Sequence, residues 1–264
     1  MTKILFIGDI VGETGLAYLE AHLPELIRSV EADFVVANAE NLDLTPSRGG
    51  CGMTPPSLRR LFATGIDLVT GGNHSFDAPD HSVHDDVRVL RPLNHAPGMP
   101  GRGAGVIEKN GLRLGVINLA SRTTLPDIEE PYPALEAQLA AWTETGAVDM
   151  VFIDFHSESV MEKLALAYAV AGRAVGVVGT HTHVPTCDTR ILPGGTAYVS
   201  DVGMTGPGGG LQGYHEAQFI DAIRRGVHPG APQRLAPGPI ELGAVVITVE
   251  NGCAVAIERV SQVA

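Results

Sequence analysis

The sequence predicts an α/β protein built on mixed sheets, and three observations carry that prediction. Short apolar runs recur along the 264 residues, helical patterns lie between several of them, and two Asn-Gly pairs sit between apolar stretches. Alternating strands and helices favour largely parallel strands, whereas an Asn-Gly pair favours a two-residue hairpin.

Element by element, Ile4–Ile7 reads as the first buried strand, ending at Gly8-Asp9. Leu16, Leu19, Leu23, Leu26, Ile27 and Val30 then fall on one helical face. Phe34–Ala37 is the second strand. Thr54-Pro55 supplies a cap with proline in the first turn of a helix that stops near Gly65. Leu68–Val69 is the third strand, and Asn110-Gly111 turns a hairpin into Leu114–Ile117. Further strands are expected at Met150–Phe155, Val175–Val178 and Ala197–Val199, with helices over 134–143, 159–171 and 216–224. Asn251-Gly252 joins an antiparallel pair, Ala244–Val249 and Ala254–Val260. The Gly/Pro-rich stretches 91–105 and 203–213 read as surface loops, too short to separate domains. One domain over residues 1–264 is expected.

A hydrophobic content of 44% is enough for a sizeable core. The formal charge of -12 argues against a broad basic surface for long nucleic acids. Small anionic substrates remain allowed, because bound cations invert the local field. Cys51, Cys187 and Cys253 are odd in number, far apart and in no C-x-x-C pair, which excludes a disulfide framework and a zinc ribbon and fits a reducing compartment. The N-terminus lacks the basic start and long apolar core of a signal peptide. No apolar run approaches the ~18 residues of a membrane span. A cytoplasmic protein is expected.

The polar residues able to bind metal sit immediately after predicted strands: Asp9, then Glu40 and Asn41, then Asn73 and His74, then His156, then His181 and His183. In open α/β sheets ligands bind beyond the carboxyl ends of the strands, so these strand ends should converge on one edge. Taken alone, Asp9 is as readily a cap on the following helix, and His156 a hydrogen-bonded structural histidine. Gly71-Gly72 before Asn73-His74 permits close backbone approach to a ligand. In G-T-H-T-H, Gly179 to His183, side chains two apart in an extended chain point the same way and can face one metal centre. His81, His84, His95, His215 and His228 lack such context and read as surface or structural.

Two carboxylates, two amides and three histidines form an oxygen/nitrogen set without thiolate, which argues against structural zinc. Such a set suits Mn, Fe or Zn. It is too large for one tetrahedral ion and natural for two ions sharing a carboxylate, an arrangement suited to phosphoryl displacement. Competing templates fail. Gly203–Gly210 lacks the Gly-Lys-Ser/Thr ending of a P-loop, no G-x-S-x-G elbow is present, and no G-x-G-x-x-G opens the first helix.

At these residues the chain resembles the calcineurin-like dinuclear metallophosphoesterases: Gly8-Asp9, Gly72-Asn73-His74, a later lone histidine, and G-T-H-T-H. It departs from their usual D-x-H, with Val11 where a histidine is expected, and from G-D-x-x-D, replaced by Ala39-Glu40-Asn41. Those departures are similar to a small bacterial branch, the 2',3'-cyclic-nucleotide 2'-phosphodiesterases. The likeness extends through D-F-H-S-E-S, G-T-H-T-H-V-P-T and the segment from Arg190 to Pro207.

The resemblance implies a sandwich of two mixed β-sheets flanked by helices. It implies that Asp9, Asn41 and His183 bind one metal, that Asn73, His156 and His181 bind the other, and that Glu40 bridges them. His74 would be the proton donor to the leaving oxygen rather than a ligand. Iron or manganese, self-association, a small phosphorylated nucleotide as substrate, and attack by a metal-bridging hydroxide that opens a cyclic nucleotide to its 3'-phosphate are implied as well. The same chemistry on another phosphodiester or phosphomonoester is the alternative. A regulatory or RNA-associated binding protein on this scaffold is another. Arg48 and Arg122 read equally as phosphate contacts or as solvated arginines.

Overall fold

The computed structural model describes residues 1–44, 50–227 and 233–260. The chain begins with β1 (Thr2–Ile7), α1 (Gly12–Val30), β2 (Phe34–Asn38), a small hairpin β3 (Asp43–Leu44) and β4 (Cys51–Gly52), α2 (Pro55–Ala63) and β5 (Leu68–Thr70). The central part follows: β6 (Ala104–Lys109), β7 (Leu112–Ala120), α3 (Pro131–Thr145), β8 (Met150–His156), α4 (Val160–Ala169) and β9 (Gly176–Thr180). Then come β10 (Arg190–Leu192), β11 (Thr196–Val199), β12 (Thr205–Pro207), α5 (Glu216–Arg225), β13 (Ile240–Leu242), β14 (Ala244–Glu250) and β15 (Cys253–Arg259).

Two mixed sheets stack face to face. The first runs β15-β14-β1-β2-β5 and the second β10-β11-β9-β8-β7-β6. In the first, the parallel strands β1-β2-β5 run to one edge and the antiparallel hairpin β14-β15 closes the other; in the second, the parallel strands β7-β8-β9-β11 are central and the antiparallel pairs β6-β7 and β10-β11 close the edges. The β6-β7 and β14-β15 hairpins turn at Asn-Gly: Asn110 and Gly111 have φ of 53° and 76°, and Asn251 and Gly252 have 50° and 78°. These are the paired left-handed residues that such a turn requires.

Strand residues alternate between two kinds of burial. Ile4, Phe6, Phe34 and Val36 of the first sheet meet Leu114, Val116, Phe152 and Val178 of the second in the inter-sheet core. The rings of Phe6 and Phe152 lie 5.4 Å apart across it. The intervening residues face helices. Leu5, Ile7, Val35 and Ala37 pack on Leu16, Leu19, Leu23 and Leu26 of α1 and on Leu58 and Leu61 of α2. Ile117, Ile153, Phe155 and Val177 pack on Leu135, Leu139 and Trp142 of α3 and on Leu166 and Ala167 of α4. Helix, sheet, sheet and helix therefore form four layers, the sandwich expected. Because both faces of each sheet are covered, the strands read as continuous apolar runs.

One expectation is corrected. The stretch 203–213 is not simply a surface loop. Residues 203–207 are buried, β12 pairs with β13, and the Thr205 amide donates to the Asp9 carbonyl at 2.8 Å. Glycine made this segment look like loop, but here it permits close approach. A Cβ on Gly206 would come within 2.9 Å of Val11 Cβ.

Candidate metal centre

The two sheets divide the candidate ligands between them by element. Asp9 follows β1, Glu40 and Asn41 follow β2, and Asn73 follows β5, so every oxygen donor leaves the first sheet. His156 ends β8, and His181 and His183 follow β9, so every nitrogen donor leaves the second. All lie at the carboxyl ends of parallel strands, where the two sheets abut.

His156 is completely buried and stands at the middle. Its Nε2 is 2.9 Å from Asn73 Oδ1, 3.0 Å from Glu40 Oε1 and 3.1 Å from His181 Nδ1. Its other nitrogen, Nδ1, lies 2.9 Å from Thr180 Oγ1, and that hydroxyl donates to Asp154 Oδ1 at 2.7 Å. With the hydroxyl proton committed to Asp154, Nδ1 must donate to Thr180. The neutral ring then presents a lone pair at Nε2, toward a carboxylate, an amide oxygen and a second imidazole nitrogen. Lone pairs facing one another in a buried space call for a cation among them. The only substitute is a proton, and without metal burial opposes charge on His156 but Glu40, Asp9 and Asp154 outweigh it and push the imidazole up to about 9.

The other two histidines repeat the pattern. His181 Nε2 is 3.2 Å from the Glu158 carboxylate, leaving Nδ1 directed inward. His183 Nδ1 is 2.9 Å from the carbonyl oxygen of Gln212, leaving Nε2 4.0 Å from Asp9 Oδ1. Each outward nitrogen thus has an acceptor, the arrangement that fixes the tautomer of metal-binding histidines. Burial and the neighbouring His156 hold His181 down to about 3, so it is neutral.

On the oxygen side, Asn41 Nδ2 donates to the Tyr214 hydroxyl at 3.3 Å, while its buried Oδ1 has no hydrogen-bond partner among the described residues. An orphaned buried oxygen is costly unless something occupies the space it faces. Asp9 does not cap α1: the capping position belongs to Val11, and the buried carboxylate accepts, among the described residues, only long contacts of 3.3 and 3.4 Å from the His181 amide. Burial raises Asp9 to about 6 despite His183 and His156 nearby. For Glu40, burial acts upward, but His156, the His74 amide and the charges around it hold the carboxyl far below its usual range. Glu40, His156 and His181 offer atoms that all lie within 4.8 Å of one another. Orphaned oxygen, inward lone pairs and paired carboxylates together fit cations.

Gly72 lets the backbone approach this cluster. A Cβ there would stand 2.4 Å from Glu40 Oε2 and 2.5 Å from His156 Nε2. His74 is set apart from the donors. Its amide donates to Glu40 Oε2 at 2.9 Å and its ring Nδ1 lies 2.6 Å from Asp77 Oδ2. Burial lowers the His74 imidazole, and the Asp77 hydrogen bond and the Glu40 charge more than reverse that.

The spacing argument for His181 and His183 needs correction. The chain there is not extended, since the two residues have φ of 99° and 62°. Their side chains reach the centre from a left-handed loop and meet different neighbours, His156 and Asp9. That loop is held by a completely buried ion pair, Lys163 Nζ to Asp201 Oδ2 at 3.0 Å. Asp201 Oδ2 also accepts from the Thr182 amide and hydroxyl at 3.1 and 2.8 Å. Arg259 of β15 reaches the carbonyls of Thr186, Val202 and Asp201 from below.

Asp77, Asp154, Glu158, Lys163, Thr180, Asp201 and Tyr214 were not singled out from sequence. Some signals were there: an acid at i+3 from His74, and an acid and a lysine among apolar neighbours at Asp154 and Lys163. Arg122 is exposed and paired with Glu130 at 2.8 Å. Arg48 and His228 lie outside the described residues. His84 is buried and bonds the Ser75 carbonyl at 2.8 Å, a structural histidine as expected.

Comparison with known proteins gives the family and the fold. A Bacillus subtilis protein named 2',3'-cyclic-nucleotide 2'-phosphodiesterase is 39% identical over 264 residues, covering 98% of this chain and 96% of that one. A Thermus thermophilus crystal structure superimposes with a TM-score of 0.88 at 38% identity, covering 97% of each chain. The crystal structure of a novel phosphatase from Mycoplasma pneumoniae gives a TM-score of 0.88 at 30% identity, covering 97% of this chain and 92% of that one. The model of the YmdB-like proteins matches residues 5–260, and this chain is a member of that family.

Proposed function

We propose that this chain is a dinuclear metal-dependent phosphodiesterase that opens 2',3'-cyclic nucleotides to 3'-phosphates. One observation carries the metal part: three histidines have their outward nitrogens satisfied while their inward lone pairs face the carboxylate and amide oxygens of the other sheet. Asp9, Asn41 and His183 would hold one ion, Asn73, His156 and His181 the other, with Glu40 shared. Iron or manganese suits this donor set, and zinc is compatible with it. The ions, when bound, would activate water as a nucleophile and neutralise charge on the phosphate.

The protein's own groups supply the rest. His74 holds a proton on its ring with Asp77 behind Nδ1, and it delivers the Nε2 proton to the departing ribose 2'-oxygen. Glu40, fixed by the His74 amide, couples that donor to the ligand cluster. The cyclic-nucleotide substrate is argued from the Bacillus relative, whose name carries it over the same length of chain. The phosphoester class is shared with the Mycoplasma phosphatase. Among the described residues no helix is long and apolar enough to cross a membrane. Among the described residues Cys51, Cys187 and Cys253 form no disulfide, in keeping with a cytoplasmic setting. The chain is taken to act as one self-associating domain.

The test is metal content together with hydrolysis of 2',3'-cyclic AMP, on wild type and Asp9→Asn. About two metals per chain, with 3'-AMP formation lost in the variant, is the expected result. Two metals without that turnover would move the substrate to linear diesters or monoesters. No bound metal and no turnover after adding Mn or Fe would overturn the enzyme reading in favour of a binding protein.

A further inference from the structure

We infer that the turn Leu211–Tyr214 is a positioning device for one half of the metal centre, aiming the His183 ring and the Asn41 amide at the same ion. This rests on the metal-binding role proposed above. Among the described residues the turn bonds to both of these and to none of Asn73, His156 and His181. The Gln212 carbonyl accepts from His183 Nδ1 at 2.9 Å, and the Tyr214 hydroxyl accepts from Asn41 Nδ2 at 3.3 Å. A third bond, Gln212 Nε2 to the Thr182 carbonyl at 2.9 Å, ties the turn to the residue between the two loop histidines.

The turn is tightly built, and it is its bonds to His183, Asn41 and Thr182 that suit an aiming role. Leu211 and Tyr214 exchange amide-to-carbonyl bonds of 2.8 and 2.9 Å, closing a two-residue hairpin around Gln212 and Gly213. Both central residues are left-handed, with φ of 54° and 87°. Glycine adopts that conformation freely, but glutamine does not. Gln212 is exposed, so side-chain packing does not impose the strain. A two-residue turn requires this left-handed pair, and the turn points the Gln212 carbonyl toward His183. Below the turn, Tyr214 is buried with Val11, Cys51 and Met204, and its hydroxyl also lies 3.1 Å from Cys51 Sγ.

Asn41 is the sensitive member. Its amide can present either end to the ion, and only the oxygen binds a cation. With Tyr214 accepting from Nδ2, the oxygen faces inward, and it is that atom which has no other partner among the described residues. Tyr214→Phe keeps the ring and its packing but removes the phenol acceptor, leaving only the Cys51 thiol to hold the amide and so loosening its orientation.

The experiment titrates metal-free wild type, Tyr214→Phe, Asn41→Ala and Glu158→Gln with Mn²⁺, following bound metal rather than turnover. Glu158 backs His181, so its variant marks the other ion. Wild type should show two sites. Tyr214→Phe should weaken one of them about 10–100-fold, the same one that Asn41→Ala weakens and not the one that Glu158→Gln weakens. Unfolding midpoints of the metal-free proteins should be close for wild type and Tyr214→Phe. Two sites of wild-type affinity in Tyr214→Phe, or equal weakening of both, would overturn the inference while leaving the dinuclear reading intact. A wild type that binds no Mn²⁺ would overturn both.

Discussion

His74 illustrates what a single residue gains from neighbours that sequence inspection passes over. The Gly72-Asn73-His74 motif marks the residue, but its chemistry depends on Asp77, one helical turn's spacing away, whose carboxylate lies 2.6 Å from Nδ1. Replacing His74 with alanine should lower kcat by ~10²–10⁴-fold, the usual worth of a positioned proton donor, with metal content unchanged. Loss of metal along with activity would instead make His74 part of the ligand set. Asp77→Asn tests the partner. Asp77 raises the His74 pKa, and a proton donor works only below its own pKa. The alkaline limb of the kcat profile should therefore move to lower pH in Asp77→Asn, and an unmoved limb would separate Asp77 from the proton donor. The proposed ligand residues were legible because each follows an apolar run. Their hydrogen-bonding partners were not, because Thr180, Gln212 and Tyr214 act through a hydroxyl, a backbone carbonyl and a phenol that no spacing rule marks.

Among the elements, strands flanked by helices were the most legible, because burial on both faces leaves uninterrupted apolar runs such as Met150–Phe155. The Asn-Gly hairpins were equally plain. β12 was missed because Gly203, Gly206 and Gly208 make a close-packed strand look like a loop. The loop bearing His181 and His183 was misjudged as extended because left-handed backbone at two histidines has no sequence signature. What holds that loop is an ion pair between α4 and the chain after β11, Lys163 to Asp201, both 1% exposed. Lys163→Met leaves a buried carboxylate without its counter-charge, and breaking such a pair from one side costs ~3–5 kcal/mol. Urea unfolding of the variant should show that loss, and Lys163→Met with Asp201→Asn should recover part of it. An unchanged midpoint in the single variant would mean that water or a rearranged side chain already satisfies Asp201.

For the molecule as a whole, the four layers were predictable only as alternating elements. Runs that are apolar on both faces do not say which face meets the other sheet, so the sandwich came from family likeness. Stability should register the centre as well. Without metal, His156 is raised from 6.5 to about 9, so the folded state holds a proton that the unfolded chain releases earlier. That contribution is complete below pH 6.5 and is lost as pH rises through about 9. Asp9, raised from 3.8 to about 6, has spent its contribution before this window opens. The melting midpoint of metal-free protein should therefore fall by several degrees between pH 6.5 and 9, and Mn²⁺ loading should flatten the fall by taking the proton's place. Scanning calorimetry of both forms across that range checks this. A flat profile without metal would mean that His156 is neutral there and that the inward lone pairs are accommodated otherwise.

The division of oxygen and nitrogen donors between the sheets also sets an order in time. During synthesis, at about 5–20 residues per second, Asp9, Glu40, Asn41 and Asn73 leave the ribosome well before His156, His181 and His183. The first sheet alone offers oxygens, which hold hard cations loosely and reversibly. Its central strand β1 stays open on one side until β14 arrives to pair with it. The loop carrying the last two histidines, in turn, gains its support from Arg259 only when β15 has emerged. Completion of the proposed metal centre would thereby wait for a nearly finished chain, because a fragment that ends before β8 lacks His156, His181 and His183.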